Sequence, residues 1–109
     1  MSYESINSVF LKGKSLSEFG IENYGFSRSQ ALSAVKLITE KDGVVFGGDV
    51  YSIQNGKLIP TYDNWFCERK KKESFQAFSL RAEKISLQFV QNYRSGGVEV
   101  LFVLIYDKN

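Results

Sequence analysis

The segment from Val98 to Tyr106 constrains the fold of this chain more than any other, because every residue in it except Glu99 is apolar. Strands with one face in water alternate apolar and polar residues, whereas strands covered on both faces read as continuous apolar runs. We therefore predict a buried strand at the centre of a β-sheet. The run is too short to cross a bilayer as a helix.

A β-hairpin is predicted upstream by Asn55-Gly56, because both residues tolerate the positive φ angles of a type I′ turn. The flanking residues are β-rich, which places strands at about residues 44 to 53 and 57 to 61. A two-residue loop predicts two opposed pairs, Ile53 with Leu58 and Tyr51 with Pro60. Because proline cannot donate to a ladder, its strand is predicted to lie at the edge of the sheet.

Two amphipathic helices are predicted, one on either side of the hairpin. The first covers about residues 28 to 41, with Ser27 as its N-cap and Gln30 completing a capping box. The second covers about residues 74 to 93, where apolar residues recur at intervals of mostly three and four. The stretch "SLSEFG", residues 15 to 20, is typical of a single helical turn closed by glycine.

Together these elements define an α+β fold. We expect a small antiparallel β-sheet, made of the hairpin and the apolar C-terminal strand, with the two main amphipathic helices packed on it. The 109 residues match the usual size of one domain and contain no internal repeat, low-complexity segment or linker. We therefore expect a single domain over residues 1–109.

The composition argues against most catalytic and metal chemistry. The chain has no histidine and one cysteine, Cys67, which removes His-based triads, His-ligated zinc and internal disulfides. No phosphate-binding glycine motif or calcium loop is present. We expect no enzyme activity, no cofactor and no small-molecule ligand. The N-terminus lacks the basic start and apolar core of a signal peptide, so we expect a cytoplasmic protein without a membrane contact.

The stretch "GGDV", residues 47 to 50, is the first candidate site. Two glycines inside a strand indicate a β-bulge or a close approach by another backbone. Asp49 is either a carboxylate presented to a partner or an acceptor for nearby backbone amides, such as those near Asn64.

The stretch "TYDNWF", residues 61 to 66, is the second candidate site. Asp63 and Asn64 favour a turn after the hairpin. Trp65 either fills the core, with its indole N–H bonded to a carbonyl, or forms a partly exposed anchor pair with Tyr62. The second interpretation points to a protein interface, where Tyr and Trp are enriched among the residues that dominate binding.

The basic run from Arg69 to Lys72 is the third candidate site. Beside Tyr62, Trp65 and Phe66 it is either a basic-aromatic patch for nucleic acid or the solvated entrance to the second helix. The net charge of only +2 does not indicate nucleic acid, and no second basic stretch extends the run. The neighbouring Cys67 has no histidine to serve as its base, so we interpret it as a buried or half-buried residue.

Three motifs in this order, "SLSEFGIENYGFSRSQAL", "GGDVY" and "TYDNWFC", followed by an amphipathic helix and an apolar strand, resemble the immunity protein 40 family. The resemblance covers about residues 8 to 106. Members of this family protect bacteria against the toxin domain of a polymorphic or contact-dependent growth inhibition system. The resemblance implies a cytoplasmic inhibitor that binds the C-terminal domain of a cognate toxin and performs no chemistry. A nuclease is one candidate for that toxin.

Five residues are our candidates for contacting the toxin or shaping the contact loop: Asp49, Tyr62, Asp63, Asn64 and Trp65. The motifs could instead be scaffold, with specificity on the surface at residues 22 to 24 or 54 to 57. Inhibitors of nuclease toxins are often acidic, whereas this chain is slightly basic. Either its acidic groups concentrate on one face, or its toxin is not strongly basic. The alternative function is a small nucleic-acid-binding module that uses the basic run and the adjacent aromatic residues.

Overall fold

A computed structural model describes residues 13–21 and 23–107. In chain order the elements are β1 (Lys14–Ser15), a 3-10 turn (Ser17–Phe19), β2 (Tyr24–Gly25), α1 (Arg28–Glu40), β3 (Val44–Gln54), β4 (Lys57–Phe66), α2 (Phe75–Asn92) and β5 (Glu99–Asp107). β4, β3 and β5 form an antiparallel sheet in that order, and β1 pairs with β2. Both helices pack against the three-stranded sheet, which confirms the α+β prediction.

β5 is covered on both faces, as its apolar sequence predicts. Its residues from Leu101 to Leu104 are consecutively buried. Phe102 and Leu104 pack into the core beneath the helices, whereas Leu101 and Val103 pack on the opposite face against the buried Leu16. That opposite face is covered by the N-terminal layer, which we define as residues 13–26 apart from 22. The sheet is therefore the middle of three layers.

The prediction that β5 lies at the centre of the sheet is wrong. β3 takes the central position, and β5 has β3 on one side only. On its outer side the backbones of Phe26 and Phe102 exchange two hydrogen bonds, of 2.9 and 2.8 Å, which form an isolated bridge to the N-terminal layer. Burial of both faces comes from the layers above and below, and that burial does not require a strand on each side.

The hairpin forms as predicted. Ile53 pairs with Leu58 and Tyr51 with Pro60, and β4 lies at the sheet edge. Asn55 and Gly56 have φ angles of 53° and 75°, the positive values that a type I′ turn requires. β4 is longer than predicted, however, since it runs on to Phe66. The turn predicted at Asp63 and Asn64 is therefore wrong, and those residues lie within the strand.

Both helices lie within one or two residues of their predicted ends. α1 begins with the predicted capping box, in which Ser27 Oγ accepts from the Gln30 amide and the Gln30 side chain accepts from the Ser27 amide. α2 begins after Ser74, whose Oγ accepts from the Ala77 amide at 3.0 Å. At the other end of α2, Arg28 from the start of α1 donates to the carbonyl of Val90 at 2.7 Å, which ties the two helices together.

Candidate functional site

The two glycines of β3 allow β3 and β4 to approach closely. A Cβ atom on Gly47 would collide with the carbonyl oxygen of Trp65, and one on Gly48 would collide with the Trp65 ring. It would also lie 2.6 Å from the carbonyl oxygen of Val103 on the other side. The register with β5 shifts between Val45 and Gly47, so the glycines also adjoin a β-bulge. Both predicted reasons for the glycine pair are therefore confirmed.

Trp65 is a core residue, since only 7% of it is exposed. Its ring stacks on Phe89 of α2, with the centroids 4.5 Å apart. Its indole Nε1–H donates to Ser86 Oγ at 3.0 Å, so the acceptor is a buried hydroxyl and not the carbonyl we predicted. The interpretation of Trp65 as a partly exposed anchor is wrong, because its side chain faces the helices.

β4 carries an enlarged β-bulge shortly before Trp65. Pairing with β3 passes from Tyr51 opposite Pro60 to Asp49 opposite Asn64, with one residue between them on β3 and three on β4. The three residues are Thr61, Tyr62 and Asp63. We name these three residues, together with the paired Asn64 that follows them, the β4 bulge. Its surplus of two residues forces the backbone out of the plane of the ladder.

Side chains of the β4 bulge replace the missing ladder contacts. Thr61 Oγ1 donates to the carbonyl of Val50 at 2.7 Å and accepts from the Asp63 amide at 3.1 Å. Asn64 Nδ2 donates to the Tyr62 carbonyl at 3.3 Å. These bonds fix one conformation of the bulge, because polar side chains of this kind compensate backbone groups that leave regular pairing.

Tyr62 is held at the tip of the β4 bulge in an unfavourable conformation. Its φ angle is 65°, in the left-handed region that disfavours bulky residues by roughly 1–2 kcal/mol. Its side chain is 86% exposed, the largest exposure of any large apolar side chain among the described residues. The fold thus presents an aromatic ring to solvent at an energetic cost.

Asp63 connects the β4 bulge to the helical layer. Its Oδ2 accepts a hydrogen bond of 2.7 Å from the hydroxyl of Tyr93, the residue that follows α2. Burial raises the pKa of the Tyr93 phenol, and the bond to the Asp63 carboxylate raises it further. The Tyr93 ring meets Phe102 edge to face at 5.8 Å, so the anchor of Asp63 is itself fixed by the core.

Asp49 lies beside the β4 bulge on the central strand. It is half-buried and directly opposite Asn64 on β4, and β-sheet geometry puts directly opposed residues on the same face. No hydrogen bond to its carboxylate occurs within the part of the chain that the structure describes, so the predicted bond to amides near Asn64 is not observed there. The sequence candidates thus divide into Asp49, Tyr62, Asp63 and Asn64 at or near the surface, and Trp65 beneath them.

The basic run lies on the loop that joins β4 to α2, and we name residues 68–73 the basic loop. Its four cationic residues are exposed, as expected for a solvated helix entrance. Glu73 closes the loop. Its carboxylate accepts two hydrogen bonds of 2.8 Å from the Arg81 guanidinium and one of 2.9 Å from the Lys70 amide. Its backbone carbonyl accepts a hydrogen bond of 2.8 Å from Arg69. The backbone of the basic loop is therefore fixed while its lysine side chains project from it.

Glu73 should make stability depend on pH below about 4.5. The hydrogen bond from Arg81, followed by that from the Lys70 amide, lowers the pKa of the Glu73 carboxyl from 4.5 to about 2. A lowered pKa in the folded state stabilises the fold above the unfolded-state pKa, and this contribution disappears as the pH falls towards 2. Denaturant unfolding measures the free energy of unfolding of wild type and Glu73→Gln between pH 2 and 6. Wild type should be more stable above pH 4.5, and this difference should disappear as the pH falls to about 2.

The matched variant for this test is Arg81→Gln. It removes the largest cause of the lowered pKa, so the pH dependence below 4.5 should weaken while Glu73 is still present. Parallel stability profiles for wild type and Glu73→Gln across the whole interval would contradict the assignment.

A pocket of about 550 Å³ opens beside the basic loop. Its apolar lining consists of Phe46, Phe66, Phe75 and Phe78, and we name it the phenylalanine pocket. Cys67 lies against it as a buried residue, with its Sγ 3.2 Å from Arg81 Nη1. The interpretation of Cys67 as buried is therefore confirmed. The sequence did not reveal the pocket, because its four rings come from β3, β4 and α2 and share no spacing along the chain.

The described residues offer several surfaces for contact with a partner. Within residues 13–21 and 23–107, no group of three or more His, Cys, Asp or Glu side chains could hold a metal ion. Neither helix in these ranges is long and apolar enough to cross a membrane. Three of these surfaces, the β4 bulge, the basic loop and the phenylalanine pocket, lie on or next to one edge strand.

Comparison with known proteins assigns this small domain to the class of immunity proteins. Residues 15–106 match the family described as immunity protein 40. The chain belongs to the immunity protein 40 family, and the match spans most of its length. Membership confers an immunity function in general and implies a toxin as partner. No curated protein and no solved structure gives a significant match.

Proposed function

We propose that this chain neutralises the C-terminal domain of a cognate toxin through a stoichiometric protein–protein interface centred on the β4 bulge. Family membership supports the partner class. We place the interface at the β4 bulge because Tyr62 is 86% exposed and is held at a φ of 65°.

The strained backbone of Tyr62 supports a role for this residue in binding a partner protein. Residues kept in sparsely populated backbone regions cost about 1–3 kcal/mol and cluster at binding clamps and functional sites. Glycine or asparagine at this position would form the same bulge without that cost. An exposed tyrosine contributes nothing to the core that would offset the cost, and tyrosine is enriched among the residues that dominate protein interfaces.

The remaining candidates take roles that follow from their positions. Tyr62 supplies the aromatic anchor, and Asp63, Asn64 and Asp49 supply the polar groups around it, in keeping with the polar rim of a typical interface. Trp65 acts from below, by fixing the strand that carries the bulge. Because the bulge is bonded in one conformation, little ordering is needed on binding, which favours affinity.

The primary test of the proposed function is growth rescue. The toxin domain encoded immediately upstream is expressed in a sensitive cell with and without this chain. We expect rescue, with the two proteins co-purifying at equal stoichiometry. Failure of a folded chain to rescue growth, together with no binding in solution, would overturn the proposal. Rescue would also make the toxin's own reaction, nuclease or other, available for assay.

Tyr62→Gly should separate binding from stability. Removal of the ring is expected to weaken toxin binding about thirtyfold, or about 2 kcal/mol, as for an interface hot spot. The free energy of unfolding should stay within about 1 kcal/mol of wild type, because glycine adopts the positive φ freely. Titration calorimetry and denaturant unfolding measure the two quantities.

Tyr62→Asn is the matched control, since asparagine also tolerates the left-handed conformation. Both variants should lose affinity alike if the ring is the anchor. Wild-type affinity in Tyr62→Gly would remove Tyr62 from the interface. It would favour the alternative regions predicted from sequence, residues 54 to 57 or residues 22 to 24, of which residue 22 lies outside the described residues.

A further inference from the structure

The phenylalanine pocket is an apolar site that the fold leaves open. Phe66, at the end of β4, is 63% exposed although it is a large apolar residue. It forms one wall of the pocket, and Phe46 and Phe78 form others, with their ring centroids 5.9 Å apart. Exposed apolar surface bordered by polar groups marks interaction sites in soluble proteins.

The base of the pocket is rigid. Phe78 is buried and packs with Val44, Cys67 and Ala82 in a small core cluster of its own. Four of the seven residues that line the pocket are phenylalanines, and its two charged lining residues, Glu68 and Arg69, are exposed to solvent. Its natural occupant is therefore an apolar side chain.

The rim of the pocket is cationic. Glu68 and Arg69 line the opening, and the basic loop continues from them through Lys70, Lys71 and Lys72. Glu73 is engaged by Arg81, which leaves four cations on the basic loop against Glu68 alone. An acidic partner surface would complement this charge.

The basic loop is pre-organised for such a contact. Besides the bonds to Glu73, Arg81 Nη2 donates to the Glu68 carbonyl at 2.6 Å. Lys72 is held at a φ of 69°, so it lies in the left-handed region as Tyr62 does. A fixed backbone presents the lysines without the loss of loop entropy that binding otherwise requires.

We infer that the phenylalanine pocket and the basic loop together bind an apolar side chain flanked by acidic residues, presented by the toxin. The inference rests on the proposed function and deepens it by assigning the chemistry of the partner surface. Phe66 follows Tyr62 by four residues on β4, so their Cα atoms are at most roughly 14 Å apart. The two sites therefore fit within one interface of ordinary size, about 800 Å² per partner. A partner surface of this kind also accounts for an inhibitor with a net charge of +2.

The test combines two kinds of variant in binding assays with the toxin domain encoded upstream. Phe66→Ala removes a wall of the pocket, and Lys70→Glu, Lys71→Glu and Lys72→Glu together reverse the charge of the loop. We expect each to weaken binding at least tenfold, with the charge-reversal effect largest at low salt. Arg69 is left in place because it bonds to Glu73.

The charge-matched control carries Lys36→Glu, Lys84→Glu and Arg94→Glu. These residues are exposed and lie on α1, on α2 and in the loop that follows α2. Each triple variant moves the net charge from +2 to −4, since three reversals change it by six. We expect the control to weaken binding less than threefold. If both triple variants lose toxin affinity equally, the loss reflects net charge and not the position of the basic loop, and the inference is overturned.

A zero-length carbodiimide cross-link gives a direct second readout. This reagent joins lysine amines to carboxylates in contact, and peptide mass spectrometry identifies the pairs. Cross-links from Lys70, Lys71 or Lys72 to toxin carboxylates are expected in the complex. Their absence, with unchanged affinity in Phe66→Ala, would overturn the inference.

The outcomes distinguish the two proposals. A toxin that does not bind at all overturns the proposed function. If toxin affinity falls in the Tyr62 variants but not in Phe66→Ala or the triple lysine variant of the basic loop, only the docking site is overturned. If the loop variant keeps toxin affinity but loses salt-sensitive binding of a single-stranded oligonucleotide, the basic loop is a nucleic-acid patch and the inference is wrong.

Discussion

Trp65→Ala is expected to lower the free energy of unfolding by about 3–5 kcal/mol, the range for removal of a large buried aromatic ring. The ring fills the space between Gly48, Phe89 and Ser86, and its neighbours are fixed by the sheet and by α2. Little collapse into the cavity is possible. For a domain of this size the loss is a large part of the total stability, so we expect partial or complete unfolding at 37 °C. Denaturant unfolding measures the effect. It is followed by far-ultraviolet circular dichroism, because that signal does not depend on the tryptophan that the substitution removes.

Two milder variants separate packing from hydrogen bonding at Trp65. Trp65→Phe keeps most of the ring but removes the donor to Ser86, and Ser86→Ala removes the acceptor. Each leaves a buried polar group without its partner, so each should cost about 1–3 kcal/mol. The double variant should cost less than the sum of the two, because neither partner is then left alone. Strict additivity would contradict the assigned bond. A folded Trp65→Ala protein whose only defect is toxin affinity would place the ring in the interface.

Gly47→Ala should destabilise the domain by about 3 kcal/mol, at the upper end of overpacking effects. The added methyl group would meet the carbonyl oxygen of Trp65, and relief requires β3 and β4 to separate. A backbone atom cannot turn aside as a flexible side chain can. The same separation would displace Trp65 and the β4 bulge, so toxin affinity should fall in parallel with stability.

Gly96→Ala is the control for this substitution. Its Cβ atom would meet nothing within 4 Å, although its φ is 66°. The expected cost is about 1 kcal/mol, from backbone conformation alone. A Gly47→Ala protein as stable as Gly96→Ala would show that the strands can yield, and would contradict the close approach at Gly47.

Sequence predicted those parts of the fold that short-range chemistry determines. The capping box at Ser27 and Gln30 and the turn at Asn55 and Gly56 each depend on residues within four positions of one another. Once the two-residue turn is known, the pairing of Tyr51 with Pro60 follows from counting. The proline then indicates the edge strand, because only an edge tolerates a missing donor.

The β4 bulge escaped prediction because distant contacts determine it. Thr61 bonds to Val50 across the ladder, and Asp63 bonds to Tyr93, thirty residues further along the chain. Asp63 and Asn64 carry the composition of a turn, and local preference alone favours one. The tertiary bonds keep them in the strand instead. The same limit applies to the phenylalanine pocket, whose rings meet only after three elements pack.

The β4 bulge also determines how an open sheet edge behaves. β4 ends the sheet, and a flat edge strand offers its free backbone groups to any other extended chain. Here Pro60 lacks an N–H, and the bulge that follows breaks the straight line of donors and acceptors. A second strand therefore finds no continuous partner along β4, which protects the protein from edge-to-edge aggregation. It also means that partners at this edge are selected by side chains, so specificity can change by substitution while the backbone stays the same.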